Sequence, residues 1–463
     1  MNKAWILLFL LLLPGCIFSE RSFPYDPGTR EAIALPAHLD RQTLTTRQWL
    51  AAAAPQLAHL LPHHRKSPML TDDLAGPRDR AADAVAHFGI DPEGQESIFV
   101  NLLGLAYSAQ AIQTHTPPKL APRWEGFEDV SIPVAPDLQI SARMGWAHDS
   151  AGRIVDADCI VIVPGIRGDN NILRVRDLAL AMRSEGFHVL TVELRGTGLT
   201  DRRCPKYDYT WGIYETDDLL RVADWAQAKP HVRRTGMVAY SWGANHAILA
   251  AWAQGRTNTA EGVGPELAPL LRPAPVGPEQ KRFEAGVLAF SPVCRFEELI
   301  DKIEVKQPAW LHPALAGLQE TFRERMADKH IPGPCGSVRT LLKNMRIGNN
   351  AQDAGDERIA SARQVAEGLE YVRLMPYKNL PAHDKLNGVS VPLLIVYAAD
   401  DMIGPVQDLA DLLATVRNPN VAAIVLPSGG HIGFAPYAAA WYYNLIFNFF
   451  DPAVGAAAAA AAK

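Results

Sequence analysis

Six short apolar runs constrain this chain more than any other feature: Ile160–Val163, Val189–Leu194, Met237–Tyr240, Val287–Phe290, Pro392–Ala398 and Val421–Leu426. Each has the length of a strand, and none needs a polar face, as expected of strands buried on both sides. Between the first three lie helix-like stretches, at about Leu173–Glu185 and Asp217–Ala228. Strand, helix, strand in succession is the pattern of βαβ units, and it implies a mainly parallel sheet with helices on both faces. Ahead of it, Phe127–Val134 and Gln139–Trp146 roughly alternate apolar and polar residues and read as half-buried strands. With 463 residues, 48% of them hydrophobic, the chain can bury a large core and hold more than one structural unit.

The third run ends in Val238-Ala239-Tyr240-Ser241-Trp242-Gly243. Here one serine sits between small residues where a strand gives way to a helix, the setting of a nucleophile elbow. A serine hydroxyl attacks poorly at neutral pH unless a base takes its proton and donors meet the oxyanion that forms. A sharp turn lifts the hydroxyl clear, and it crowds the positions two before and two after. Those positions are Ala239 and Gly243, the two smallest residues, although the usual pattern has glycine at both. Ser241 would otherwise serve as the N-cap of the helix Ala244–Gln254.

Partners follow in order. Asp400-Asp401-Met402-Ile403-Gly404-Pro405 comes at the C-terminal end of the run Pro392–Ala398, and Pro427-Ser428-Gly429-Gly430-His431-Ile432-Gly433-Phe434 closes the run Val421–Leu426. A carboxylate past one strand can orient an imidazole carried past the next, fixing its tautomer and stabilising the imidazolium. Ser241, Asp401 and His431 thus supply nucleophile, orienting acid and base.

This order, with each residue just past a strand, resembles the α/β-hydrolase superfamily. Cys159–Ile166 looks like the strand and oxyanion turn that usually ends in His-Gly, and Val189–Gly198 like the next strand with its Arg-Gly-x-Gly turn. The Gly-Gly-His-x-Gly-Phe loop is similar to that of a subgroup of predicted bacterial and plant esterases. The resemblance covers roughly residues 126 to 295 and 391 to 450. It implies an α/β-hydrolase fold with Ser241 as nucleophile, His431 as general base and then acid, and Asp401 as the orienting carboxylate. The implied oxyanion hole uses the backbone N–H groups of Trp242 and Ile166. Pro164 stands where that turn usually carries histidine, so altered loop packing is expected there.

Rival assignments are weaker on the residues. Aligned on Pro405, Asp401 takes the acid position and Asp400 falls one short. His246, five residues past Ser241 on the helix, would face away from the elbow or pack beneath it. His59, His63 and His64 cluster without a matching Cys, Asp or Glu pattern, so no metal is expected. Gly165 and Gly168 fit neither a dinucleotide fingerprint nor a Lys-bearing phosphate loop, so no cofactor is expected. The net charge of −5, with basic residues scattered, argues against nucleic acid as a partner.

The N-terminus carries a separate message. Lys3 precedes the apolar run Ala4–Pro14, too short to span a bilayer and suited to a secretory signal. It leads into Leu12-Leu13-Pro14-Gly15-Cys16, which resembles the lipobox of bacterial lipoproteins, with Pro14 an unusual occupant. That resemblance implies cleavage before Cys16, lipid on Cys16, and a protein held at the cell envelope outside the cytoplasm. Cys159 falls in a buried strand and should be inert. Cys204, Cys294 and Cys335 fall in loops, where an exported compartment permits a disulfide whose pairing stays open.

The expected organisation is a signal peptide (1–15), an N-terminal extension (16–125) with helices at Thr46–Leu61 and Gln95–Thr114, and a hydrolase core in two parts (126–295 and 391–450). A helical lid insertion (296–390) separates the two parts, Gly255–Gln280 forms a surface loop, and an Ala-rich tail (451–463) follows the last helix, Ala435–Phe450. The expected activity is cleavage of a carboxylic ester, of a small molecule or a lipid, through an acyl-enzyme. Acyl transfer, thioester cleavage and amide cleavage use the same three groups, and a catalytically silent envelope binding protein would keep only the fold.

Overall fold

A computed structural model describes residues 22–36, 44–62, 68–71, 122–210, 214–254, 282–293, 386–404 and 416–450, together with Gly212 and positions 299, 304, 319, 320, 323, 324, 327, 409 and 413. The signal peptide with Cys16, His63, His64, the helix expected at Gln95–Thr114, the surface loop at Gly255–Gln280, Cys294, Cys335, nearly all of the expected lid and the Ala-rich tail lie outside the described residues.

One sheet organises the rest. Its strands are β1 (Met69–Leu70), β2 (Phe127–Ala135), β3 (Leu138–Gly145), β4 (Ala157–Val163), β5 (His188–Glu193), β6 (Val232–Tyr240), β7 (Gly286–Phe290), β8 (Leu393–Ala398) and β9 (Val421–Leu426). They lie in the order β1-β9-β8-β7-β6-β4-β5-β3-β2. The pairings from β5 through β4, β6, β7 and β8 to β9 are all parallel, and antiparallel pairing is confined to the two ends. All six apolar runs are strands of the parallel part, as their composition implies.

Alternation of side chains across a strand divides the core in two. Cys159, Val161 and Val163 of β4 pack on one face with helices α4 (Glu215–Gln227) and α5 (Trp242–Ala253). Ile160 and Ile162 point to the other face, which is covered by α1 (Thr46–Leu57), α2 (Leu173–Ser184) and α6 (Phe434–Phe450). A short helix, α3 (Gly198–Arg203), follows β5. Most boundaries differ from expectation by a residue or two, but β4 starts three residues before Ile160, β6 starts five residues before Met237, and the helix expected at Thr46–Leu61 ends at Leu57 and tightens into a 3₁₀ turn at Ala58–Leu60.

The described part of the N-terminal extension folds onto this body. α1 opens with a capping box between Thr45 and Gln48, packs Trp49 edge-on against Phe449 at 5.3 Å, and sends Arg47 to the carbonyls of Val416 and Val421. β1 then pairs with β9 at the edge of the sheet. Two residues are too few to show a period, so β1 has no signature in the sequence.

A buried ion pair braces the turn after β5. Arg195 donates from Nε and Nη2 to the two carboxylate oxygens of Asp218, both bonds at 2.6 Å, and its guanidinium lies 4.9 Å from the ring centre of Tyr214. Neither side chain is more than 2% exposed. Removing one member strands the other charge away from water. Asp218→Ala should therefore cost about 3–5 kcal/mol in a denaturant titration, and a loss under about 1 kcal/mol would mean that Arg195 is compensated by its other neighbours.

Candidate active site

Ser241 ends up where the sequence places it, in the single-residue turn between β6 and α5, with φ 52° and ψ −122°. A non-glycine residue with positive φ is held only by its surroundings. Here the Ser241 N–H donates to the Phe290 carbonyl of β7 (2.8 Å), and α5 starts at the next residue. The small neighbours have a steric cause. A Cβ at Gly243 would stand 2.1 Å from the carbonyl oxygen of Pro164, so only glycine lets α5 begin this close to the β4 turn. Ala239 sits in register between Val163 of β4 and Ala289 of β7, where a methyl is accommodated.

The other groups arrive from the carboxyl ends of β8 and β9. The loop after β9 turns through Gly429 (φ 152°), Gly430 (φ 53°) and Ile432 (φ 59°), and these turns carry His431 back over the sheet. Its Nε2 lies 2.8 Å from Ser241 Oγ, and its Nδ1 lies 2.9 and 3.1 Å from the two carboxylate oxygens of Asp401. An ionised carboxylate only accepts, so Nδ1 carries the proton and Nε2 is left to accept from the serine hydroxyl. Asp401 is itself aimed, because its Oδ1 accepts the N–H groups of Ile403 (2.8 Å) and Gly404 (3.0 Å). All three side chains are buried or nearly so.

Asp400 has different work. Its Oδ1 accepts the N–H of Gly430 (2.7 Å), and its Oδ2 accepts the hydroxyl of Ser428, so it grips the loop that carries His431. Burial lifts its carboxyl to about 6 against these hydrogen bonds, which favour the charged form.

The turn after β4 lies against the serine. A Cβ at Gly165 would be 3.2 Å from Ser241 Cβ, which puts Ile166 one residue from that contact. The turn closes with Gly168 N–H donating to the Gly165 carbonyl (3.0 Å), and Arg167 takes a positive φ of 55°. Trp242 opens α5, so its N–H lies at a helix N-terminus, where the partial positive charge suits an anion. Arg167 forms an ion pair at 3.6 Å with Glu324, which belongs to the segment between residues 296 and 390.

Glu193 was not singled out as a sequence feature of the site. Fully buried at the end of β5, it accepts the N–H of Asn170 on Oε1 (3.0 Å) and of Leu199 on Oε2 (2.5 Å), tying the turn beside Ser241 to the turn after β5. Burial, and after it the Asp169 carboxylate, raises Glu193 to about 7. An acidic residue closing an otherwise apolar strand is the signal that could have found it.

The remaining candidates lie elsewhere. His246 is buried with its Nε2 2.6 Å from the Tyr209 hydroxyl, and burial pushes its ring down to about 3, which keeps it neutral. His59 pairs with Glu31 at 3.0 Å. Among the described residues no three His, Cys, Asp or Glu side chains gather as a metal site would require. Cys159 and Cys204 are free thiols, and burial raises that of Cys159 to about 12.

Residues 160–443 match a family described as the alpha/beta hydrolase family. A curated relative, embryogenesis-associated protein EMB8 of Picea glauca, is 22% identical over 307 residues; the match covers 64% of this chain and spans 59% of that relative's length. Among solved structures, esterase Pf2001 of Pyrococcus furiosus is 15% identical, covering 73% of this chain and 99% of its own at a TM-score of 0.42. Est1E of Butyrivibrio proteoclasticus is 11% identical, covering 70% and 98% at a TM-score of 0.39.

Asp400 yields a test of the buried charge. Its folded value lies above the ordinary 3.8, so well below pH 3.8 it is protonated in both states and favours neither. As pH rises towards 6 the unfolded chain ionises first, which costs the native state an amount on the order of 2–3 kcal/mol by pH 7. The stability of Asp400→Asn relative to the native sequence should therefore improve steadily between pH 4 and 6.5 in denaturant titrations. A difference that does not change across that range would show that Asp400 is solvated.

Proposed function

We propose, since this chain belongs to the alpha/beta hydrolase family, that it is a serine hydrolase that cleaves a carboxylic ester through an acyl-enzyme. The observation that carries the reading is the unbroken line of hydrogen-bonding groups from Ser241 Oγ through His431 to Asp401, at 2.8 and 2.9 Å. In the first step His431 Nε2 takes the hydroxyl proton as Ser241 Oγ bonds to the ester carbonyl carbon, and the carbonyl oxygen becomes an oxyanion. The N–H groups of Trp242 and Ile166 meet that oxyanion, and each such donor is typically worth about 2.7–4 kcal/mol in the transition state. The oxyanion then collapses to a carbonyl, the bond from that carbon to the alkoxy oxygen breaks, and His431 gives its proton to the leaving alcohol. Water repeats the sequence on the acyl-enzyme, releasing the acid and restoring the serine.

Asp401 orients the ring and offsets the charge it gains, while Asp400 and Glu193 hold the loops. Specificity is assigned to the segment 296–390, whose Glu324 reaches the turn that bears Ile166. The lipobox-like residues before Cys16 support a lipid anchor at the cell envelope. Among the described residues no helix is long and apolar enough to cross a membrane.

A fluorophosphonate probe should label the purified protein and fail to label Ser241→Ala; absence of labelling in the folded native protein would refute the hydrolase reading. Against a series of esters of graded acyl length, Asp401→Asn should lower kcat on the order of 10³–10⁴-fold. Asp400→Asn should do far less, and the opposite ranking would reassign the acid. Separately, Cys16→Ser should move the protein from the membrane fraction to the soluble one, and unchanged partition would remove the anchor.

A further inference from the structure

Helix α5 carries a second buried polar side chain one turn after the nucleophile, and it is aimed at the chain that leaves β7. Asn245 Oδ1 accepts the N–H of Val293, and Asn245 Nδ2 donates to the carbonyl of the same residue, both at 2.8 Å. A single side-chain amide thus does for Val293 what a neighbouring strand would do. Both main-chain groups are buried, so each needs the partner it has.

This clasp closes a ring. At the other end of the same stretch the Ser241 N–H donates to the Phe290 carbonyl (2.8 Å), so residues 290–293 are fastened to residues 241–245 twice. Between the two attachments lies Ser291, fully buried, whose own N–H donates to the Val396 carbonyl of β8 (2.8 Å). Ser291 therefore has little freedom to move relative to the elbow.

Ser291 in turn meets the loop that carries the base. Its Oγ accepts the N–H of Ile432, the residue after His431, at 3.4 Å. Both residues have positive φ, 47° at Ser291 and 59° at Ile432. A β-branched residue in that region is a steric outlier and stands only where its surroundings impose it. The next residue reaches the third loop: the Pro292 carbonyl oxygen would lie 3.9 Å from a Cβ on Gly404, whose N–H donates to Asp401.

The sheet by itself leaves a gap that such contacts must bridge. Strands β6 and β9 are separated by β7 and β8, and three strand spacings amount to roughly 14 Å. Yet His431 Nε2 stands 2.8 Å from Ser241 Oγ, so the loop after β9 is led back over two strands to a fixed stopping point. The end of β7 lies on that path, tied to the elbow on one side and bonded to the histidine loop on the other.

We propose that Asn245 and Ser291 are positioning residues for the reaction: the Asn245–Val293 clasp fixes Ser291 against the elbow, and the Ser291 hydroxyl sets the loop that brings His431 onto Ser241. This rests on the readings of Ser241 as nucleophile and His431 as base, and it adds what holds the distance between them. A displacement of about 1 Å between reacting groups can cost on the order of 10²-fold in rate.

The test counts competent serines and measures the rate of each. The full chain and its variants are titrated to completion with a fluorophosphonate, and kcat for a short-chain p-nitrophenyl ester is expressed per titrated serine. Asn245→Ala should lose about 10²-fold in that rate with KM within about threefold. Ser291→Ala, which leaves the clasp in place, should lose about tenfold. A merely structural role would lower the melting temperature and the number of titratable serines but not the rate of each, so a native rate per serine in either variant overturns the proposal. Asn245→Asp supplies the rescue: its protonated carboxyl can accept the Val293 N–H and donate to the Val293 carbonyl as the amide does, whereas the carboxylate only accepts. Its kcat relative to the native protein should be highest at pH 5 and fall about tenfold by pH 8, and a ratio that does not change with pH also overturns the proposal. Should Asn245→Ala fail to fold, Ser291→Ala and Asn245→Asp decide. Asp224→Ala, which strands the buried Arg282 guanidinium beside α4, is the destabilised control and should keep the native rate per serine. An equal fall there would mean that the rate follows stability alone, and the proposal would fail. A native protein that takes no label removes the hydrolase reading itself, a result distinct from all of these.

Discussion

Gly243 packs against the Pro164 carbonyl with no room for a side chain, and the rest of the arrangement depends on that contact. Because that carbonyl occupies the space of a side chain at position 243, α5 can start directly after β6 and Ser241 is forced into a left-handed turn. Such a conformation stands only when neighbouring structure over-determines it. The parallel sheet does so, since β7 supplies the acceptor for the Ser241 N–H and β4 supplies the turn that rests on the serine. Any residue larger than glycine at 243 would push α5 away and release the strain that presents the hydroxyl.

Carboxylates then do for the loops what the sheet does for the elbow. Asp401 holds the imidazole and the turn at Ile403 and Gly404, Asp400 holds the loop at Gly430, and Glu193 holds the turn at Asn170. Loops that present side chains above a sheet leave main-chain N–H groups without ladder partners, and buried carboxylates satisfy them with charge-assisted bonds. Desolvation is the cost, visible in the raised values of Asp400 and Glu193. The site therefore trades stability for rigid loop placement, as strained functional sites commonly do.

These physical differences decide what could be seen in the sequence. Strands β4 to β9 were legible because burial on both faces demands unbroken apolar runs, and the places of Ser241, Asp401 and His431 just past three of them followed from that. Strand β1 was invisible because two residues carry no period. The loop-holding roles of Asp400 and Glu193 were also hidden: a carboxylate's sequence position does not say which distant N–H it will meet, and Asp400 reads only as a rival to its neighbour. Residues 22–36 gave no periodic signal, since most of their contacts are isolated hydrogen bonds and ring contacts to helices more than a hundred positions away.

That N-terminal segment links the two halves of the site. Helix α2 begins five residues after the Gly165–Gly168 turn beside Ser241, and α6 begins three residues after His431. Ser22, Tyr25 and Arg30 bond to side chains on or beside α2, while Phe23 bonds to a side chain on α6 and Asn444 and Asn448 hold the chain that follows. One short stretch of chain is thus fastened to both helices that follow the loops of the site. Sliding of α2 against α6 would have to break these bonds together, so the separation of the serine turn and the histidine loop is fixed partly from outside the sheet.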